Sequence, residues 1–259
     1  MKFSAIILVA LFLGACDDEE KPTVFTTPQI STHPPFQGTI FLDPDIITAE
    51  DPTSFESLTP AGQASRVMFD RRLDGWITVD AYLFNVTFDD GLVTEVQVNP
   101  EFKTSALAQV QAEKYAIEIG RLPTSLRKDV ETVWIHQGIQ PFGGGNNNIL
   151  IHIGQSDLYE SDGILEETLV HEASHTSLDA THANAPGWVN AQEEDQTFIS
   201  TYARDYPTRE DIAETFLMYL AVKHRSDRIS GSLKETITNT IPHRIKYLDN
   251  QTWNLYPLK

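Results

Sequence analysis

The chain has one cysteine, Cys16, and its 19 basic residues are outnumbered by 37 acidic ones. Each shortage excludes something. Without a second cysteine there is no intramolecular disulfide, so the fold must rest on its own core or on a bound metal. A formal charge of -18 argues against nucleic acid as a partner and against a polybasic hold on anionic lipid. Long apolar runs are also scarce. The stretch from Ala5 to Leu13 is too short to span a bilayer and reads as the core of a signal peptide. No repeat of solenoid period is present. Gly143-Gly144-Gly145 is no phosphate loop, because the lysine and the following helix that such a loop uses are missing. A tight loop whose backbone passes close to something is expected there instead.

The apolar run leads into Leu13-Gly14-Ala15-Cys16, which resembles a bacterial lipobox. That resemblance implies cleavage before Cys16, lipid on Cys16, and a body anchored in the cell envelope, facing the periplasm or the exterior. Residues 1–15 are then the signal and residues 16–37, acidic and rich in proline and threonine, a flexible tether. Residues 38–259 are long enough for a sizeable core and show no internal linker composition, so one continuous domain is expected.

Within that domain Thr59-Pro60 followed by Ala61 to Arg72 predicts a helix, with Thr59 as its cap and Pro60 at its first position. Alternation from Trp76 to Phe88, a turn at Asp89-Asp90-Gly91, and alternation again from Val93 to Val98 predict a β-hairpin. Ser105 to Gly120 predicts an amphipathic helix. Strands are expected at Val130–His136 and Asn148–Ile153, a helix from Asp162-Gly163 onward, and further helices over Ala191–Ala203, Thr208–Arg225 and Ser232–Asn250, the last interrupted at Pro242. The sum is an α+β fold, with a small sheet near the central helix and a mostly helical C-terminal half.

The helix from Asp162 carries His171-Glu172-Ala173-Ser174-His175, an H-E-x-x-H pattern. Two histidines four apart lie roughly 40° apart on one helix face, so both imidazoles can bind one metal ion. Glu172 then stands where a carboxylate can take a proton from a metal-activated water. A zinc site needs one more protein ligand and an open position. The candidates are Asp179, His182, Glu193, Glu194, Glu210 and Glu214. The metzincin arrangement fails, because Leu178 and Thr181 occupy the places of its glycine and third histidine and His182 falls one residue late. On the expected helix after Pro207, Glu210 and Glu214 share a face with Leu217 and Ala221. Two carboxylates among apolar residues are costly to bury unless a cation compensates, and Zn²⁺ would. Glu167 is expected to complement the helix dipole, with a role behind a histidine as the alternative.

These residues resemble the gluzincin zinc peptidases, in which a second helix supplies a glutamate ligand. Locally, from Glu167 to Phe216, they are similar to the catalytic domain of anthrax lethal factor. The resemblance implies a zincin-like fold, His171, His175 and Glu210 as zinc ligands and Glu172 as general base. It implies Glu214 as the acceptor behind a ligand imidazole, with Glu214 in place of Glu210 as the alternative ligand. Tyr202 becomes the hydroxyl that stabilises the oxyanion, and Asp179 a structural or outer partner. Arg204 and Arg209 are expected at the surface, where either could hold a substrate. His136, His152, His224 and His243 are expected to be structural, His152 on the strand where such enzymes add substrate to a sheet edge. The expected function is zinc-dependent hydrolysis of a peptide or protein outside the cytoplasm. The alternatives are a zinc-containing binding or structural lipoprotein and a metal-dependent hydrolase of a non-peptide amide.

Overall fold

A computed structural model describes residues 33–42 and 45–258; the expected signal, Cys16 and most of the expected tether lie outside the described residues. The fold is α+β, built on one mixed sheet of six strands in the order β1-β2-β3-β4-β6-β5. Strands β1 (Phe55–Asp70), β2 (Gly75–Phe88) and β3 (Val93–Val98) form an antiparallel meander. Strands β4 (Thr132–His136) and β6 (Asn148–His152) continue it in parallel, and β5 (Gly143–Gly145) closes the far edge antiparallel to β6.

The expected hairpin is β2 and β3, with Gly91 at φ +86° in its turn. On the inner face Phe84, Val86, Val96, Val133, Ile135, Ile149 and Ile151 enter the main core. Helix α1 (Ser105–Gly120) covers it with Ala108, Ala112, Tyr115 and Ile119. Thr104 caps that helix by accepting from the Leu107 amide. Burying a side chain such as Phe84 contributes about 2 kcal/mol, so this face supplies much of the stability that no disulfide provides. One core runs from Ile40 to Leu248.

In place of the helix predicted over 60–72, residues 60–70 are the C-terminal part of β1, and Arg71 and Arg72 begin the turn to β2. The strand residues alternate in burial from Ala64 to Asp70 and pair in register with β2 from Gln63↔Tyr82 to Asp70↔Gly75. Ala, Gln, Arg and Met favour helix locally, but a long neighbouring strand offers a full ladder. Pro60 is tolerated because β1 is the sheet edge and the register shifts between Pro60 and Gly62. Local propensity loses to pairing here.

After the short α2 (Thr124–Arg127) and the parallel strands, α3 (Ile153–Ser161) precedes the H-E-x-x-H helix, α4 (Leu165–Leu178). A single π turn, Asp179–Ala183, extends α4. The helix expected over 191–203 is two: α5 (Pro186–Asp195) and α6 (Thr201–Asp205), separated where Gln196 takes a left-handed φ of +58°. Helix α7 (Asp211–His224) is buried at every position from Asp211 to Val222, polar Asp211, Glu214 and Thr215 included. It lies against α4, and α8 (Gly231–Thr240) and α9 (Pro242–Asp249), meeting at Pro242 as expected, pack around it. The N-terminal segment is stitched to this half: Phe36, assigned to the tether from sequence, bridges Ser200, and the Gly38 amide donates to Thr201 Oγ1 at 2.8 Å.

Candidate metal centre

Helix α4 presents His171 and His175 on one face toward the start of α7, where Glu210 stands immediately before the helix. His175 Nε2 lies 3.1 Å from His171 Nε2 and 3.1 Å from Glu210 Oε2, and His171 Nε2 lies 3.4 Å from Glu210 Oε2. Donor atoms bound about 2.0 Å from a tetrahedral ion lie about 3.3 Å apart. Three donors at that mutual spacing form one face of such a tetrahedron. Among the described residues this is the one group of three His, Cys, Asp or Glu side chains with ligand atoms within 4.8 Å of one another, and it could hold a metal ion.

The groups behind these three fit the same reading. His175 Nδ1 is 2.9 Å from Asp179 Oδ2, and His171 Nδ1 is 3.4 Å from Glu214 Oε1. Each imidazole thus has a carboxylate on the nitrogen turned away from the centre, the arrangement that orients metal-binding histidines. Glu214 is 1 % exposed, and its other oxygen accepts from the Ile40 amide at 3.1 Å and from Ser200 Oγ at 2.8 Å. Ser200 also caps α6 by accepting from the Ala203 amide. One hydroxyl therefore ties the helix bearing Tyr202 to the carboxylate behind His171.

The charges are compatible with a cation here. Glu210 and Glu214 are buried and Asp179 is close by, and among the described residues the one guanidinium paired with any of them is that of Arg209, itself largely exposed, 3.0 Å from Glu210 Oε1. Protons meet part of the deficit. Burial opposes charge on His175, but Asp179 and Glu210 outweigh it and raise its pKa to about 10. Burial alone would raise Glu210, yet the two imidazoles hold it well below the usual carboxylate range. Burial pushes Glu214 up. A divalent cation would displace those protons and satisfy all three carboxylates together.

A cleft of about 360 Å³ opens on this centre, lined among others by Arg71, Phe142, Tyr159, Glu172 and Tyr202. Glu172 is partly exposed and reaches the cleft beside the two histidines. Tyr202, from the first turn of α6, lies beside Glu210; burial first, and then that carboxylate, raise its phenol to about 12. Strand β5 forms the rim. A Cβ on Gly144 would stand 1.9 Å from the Glu172 carbonyl oxygen, and the Gly145 amide donates to Thr176 Oγ1 at 2.8 Å. The glycine run is a strand rather than a loop, but the close backbone approach expected of it is present, against α4 itself.

Other sequence candidates sit elsewhere. His182 Nδ1 meets the Tyr247 hydroxyl at 2.8 Å, and Arg204 pairs with Asp205. The Glu167 carboxylate is engaged by the N-terminal segment: its Oε1 accepts the Ile46 amide at 2.6 Å, so it anchors that segment. His152 lies on β6, an inner strand, buried and stacked on His136. The sheet edge at the cleft is β5 instead. Helix α7, expected from Thr208, starts at Asp211 with Glu210 immediately before it, and Asp211 is held by Arg244 and Gln192. Arg71, Phe142 and Tyr159 were not anticipated; only the glycine run next to Phe142 gave any sign of a crowded rim. The chain matches no protein-family model, no curated protein and no solved structure in the comparisons made with each.

Proposed function

We propose that the protein is a zinc-dependent metallopeptidase of gluzincin type. The observation that carries this reading is the convergence of His171, His175 and Glu210 within 3.1–3.4 Å at the floor of an open cleft that also holds Glu172. Zinc held there would lower the pKa of a coordinated water to about 7 and polarise a scissile carbonyl. The chain's own residues do the rest. Glu172 takes the proton of the attacking water and passes it to the leaving nitrogen. The Tyr202 hydroxyl donates to the oxyanion that develops on the carbonyl. Asp179 and Glu214 keep the imidazoles in the orientation and tautomer that bind metal. The backbone of β5, at the rim of the cleft, pairs with an extended peptide. Lipid on Cys16 and a place in the cell envelope belong to the same proposal.

Metal analysis of purified protein tests the first step: one zinc per chain is expected, and its absence from wild type sinks the proposal. Glu172→Gln should keep the zinc and lower kcat in a peptide-hydrolysis assay by about 10²- to 10⁴-fold. Wild-type zinc content with no hydrolysis of any peptide in a mixed library would favour the binding-lipoprotein reading.

A further inference from the structure

Arg71 sets apart one wall of the cleft. Among the described residues nine of the ten arginines have a carboxylate oxygen within 4.0 Å, including the largely exposed Arg204 and Arg209. Arg71 is the exception. In a chain whose acids outnumber its bases 37 to 19, an arginine left without a carboxylate marks a place where an acid would be drawn in from outside. That place is the cleft, since Arg71 lines it together with His171 and Glu172.

The local structure holds Arg71 there. It is the first residue of the turn between β1 and β2, and its neighbour Arg72 fixes that turn by bonding Asp70 at 2.7 Å and Glu101 at 2.8 Å. The Arg71 guanidinium lies against β5, with Nη2 2.8 Å from where a Cβ on Gly143 would stand. Glycine at the rim is what gives the guanidinium room. Tyr159 lies within the fields of both ends of the cleft wall: burial raises its phenol, the Glu172 charge adds to the rise, and the Arg71 charge opposes it. Phe142 packs edge-on against Tyr159, with ring centroids 5.1 Å apart. A half-buried tyrosine ring beside a guanidinium without a carboxylate suits a group that ends in a carboxylate, which arginine binds through two parallel hydrogen bonds.

We infer that Arg71 is the specificity-determining residue of the cleft and that the protein acts on peptides presenting a carboxylate to it, as an acidic side chain or as the free C-terminus. This rests on the metallopeptidase reading. The protein's own charge of -18 repels such substrates at long range, so their recognition depends on this single contact.

The test uses the full chain loaded with zinc and three peptide hydroxamates of one backbone, with calorimetric Kd values. One carries glutamate and an amidated C-terminus, one glutamine and an amidated C-terminus, and one glutamine with a free α-carboxylate. At least one carboxylate probe should bind about tenfold tighter than the neutral probe, the strength of a charge-assisted hydrogen bond, and the one that does identifies the source of the carboxylate. In Arg71→Ala that advantage should disappear while the Kd of the neutral probe stays within about twofold; Arg71→Lys should keep part of it. Zinc content is measured on the same samples. Zinc present with no carboxylate advantage, or with one that survives in Arg71→Ala, overturns the assignment and leaves the metal centre standing. Zinc absent overturns the metallopeptidase reading and this inference with it.

Discussion

Two pairs of histidines lie among carboxylates in this molecule, and they have been put to different uses. His171 and His175 stand one turn apart on α4 with their Nε2 atoms 3.1 Å from each other, facing Glu210 and backed by Glu214 and Asp179. His136 and His152 stand on neighbouring parallel strands, stacked with centroids 5.3 Å apart, close to Asp70 and Glu101. In the second group Arg72 already bridges Asp70 and Glu101, so no positive charge is wanting. Burial there pushes His136 down to about 4, and neutral rings satisfy Asn99 and the Gln137 carbonyl. In the first group the guanidinium paired with a carboxylate, among the described residues, is that of the largely exposed Arg209, which reaches Glu210 alone, and His175 is pushed up to about 10. The two groups differ in whether a guanidinium bridges their carboxylates, rather than in the count of histidines and acids.

The sharpest break of this comparison is metal content. His175→Ala should abolish zinc binding, because a three-ligand site loses a third of its donors, whereas His136→Gln should leave zinc content at the wild-type value. Elemental analysis of both variants decides it, and equal losses would erase the distinction. Next in size is removal of the built-in cation. Arg72→Met leaves Asp70, held at about 2 chiefly by its bond to Arg72, as an unpaired buried charge. It should destabilise the fold by about 3 kcal/mol or more in denaturant unfolding, with no change in zinc affinity. Smaller again is the effect of the carboxylates behind the imidazoles: Asp179→Asn and Glu214→Gln should each weaken zinc binding about 10- to 100-fold in a chelator competition. Unchanged affinity in both would mean that these acids serve only the fold.

The smallest effect concerns Glu167, a buried carboxylate with neither metal nor guanidinium, which burial raises to about 7. Its folded pKa lies above the unfolded value, so the native state binds the extra proton between about pH 4.5 and 7. Stability should therefore fall as pH rises through that window and level off above it. Glu167→Gln keeps an acceptor for the Ile46 amide and removes the slope. The variant should gain on wild type by on the order of 2 kcal/mol between pH 5 and pH 8, and a constant difference between the two pH values would contradict the account.

The α4 site was legible in the sequence because its information is local. A spacing of four places two imidazoles on one helix face, and the same spacing in Glu210 and Glu214 announced carboxylates that burial would have to compensate. The hairpin of β2 and β3 was legible for the same reason, through alternation and Gly91. The helix predicted over 60–72 failed because Ala61 to Arg72 has no strong period of its own and takes its form from β2. Helix α3 buries only Ser156, so no apolar stripe announced it. Arg71 was illegible for a different reason. Its meaning lies in the lack of a carboxylate beside it, and that depends on where Asp70 and Glu101 are already engaged, by Arg72.

Gly144 sets a tolerance for the whole cleft. The strand at the rim rests on the Glu172 carbonyl with no room for one more carbon atom, so the height of the rim above α4 is fixed by contact between two backbones. A methyl group added at Gly144 must lift the strand and loosen the Gly145 bond to Thr176. The dimension a peptide would have to match is therefore a property of the main chain, and side-chain changes elsewhere in the cleft can alter what is admitted without altering how deep it sits.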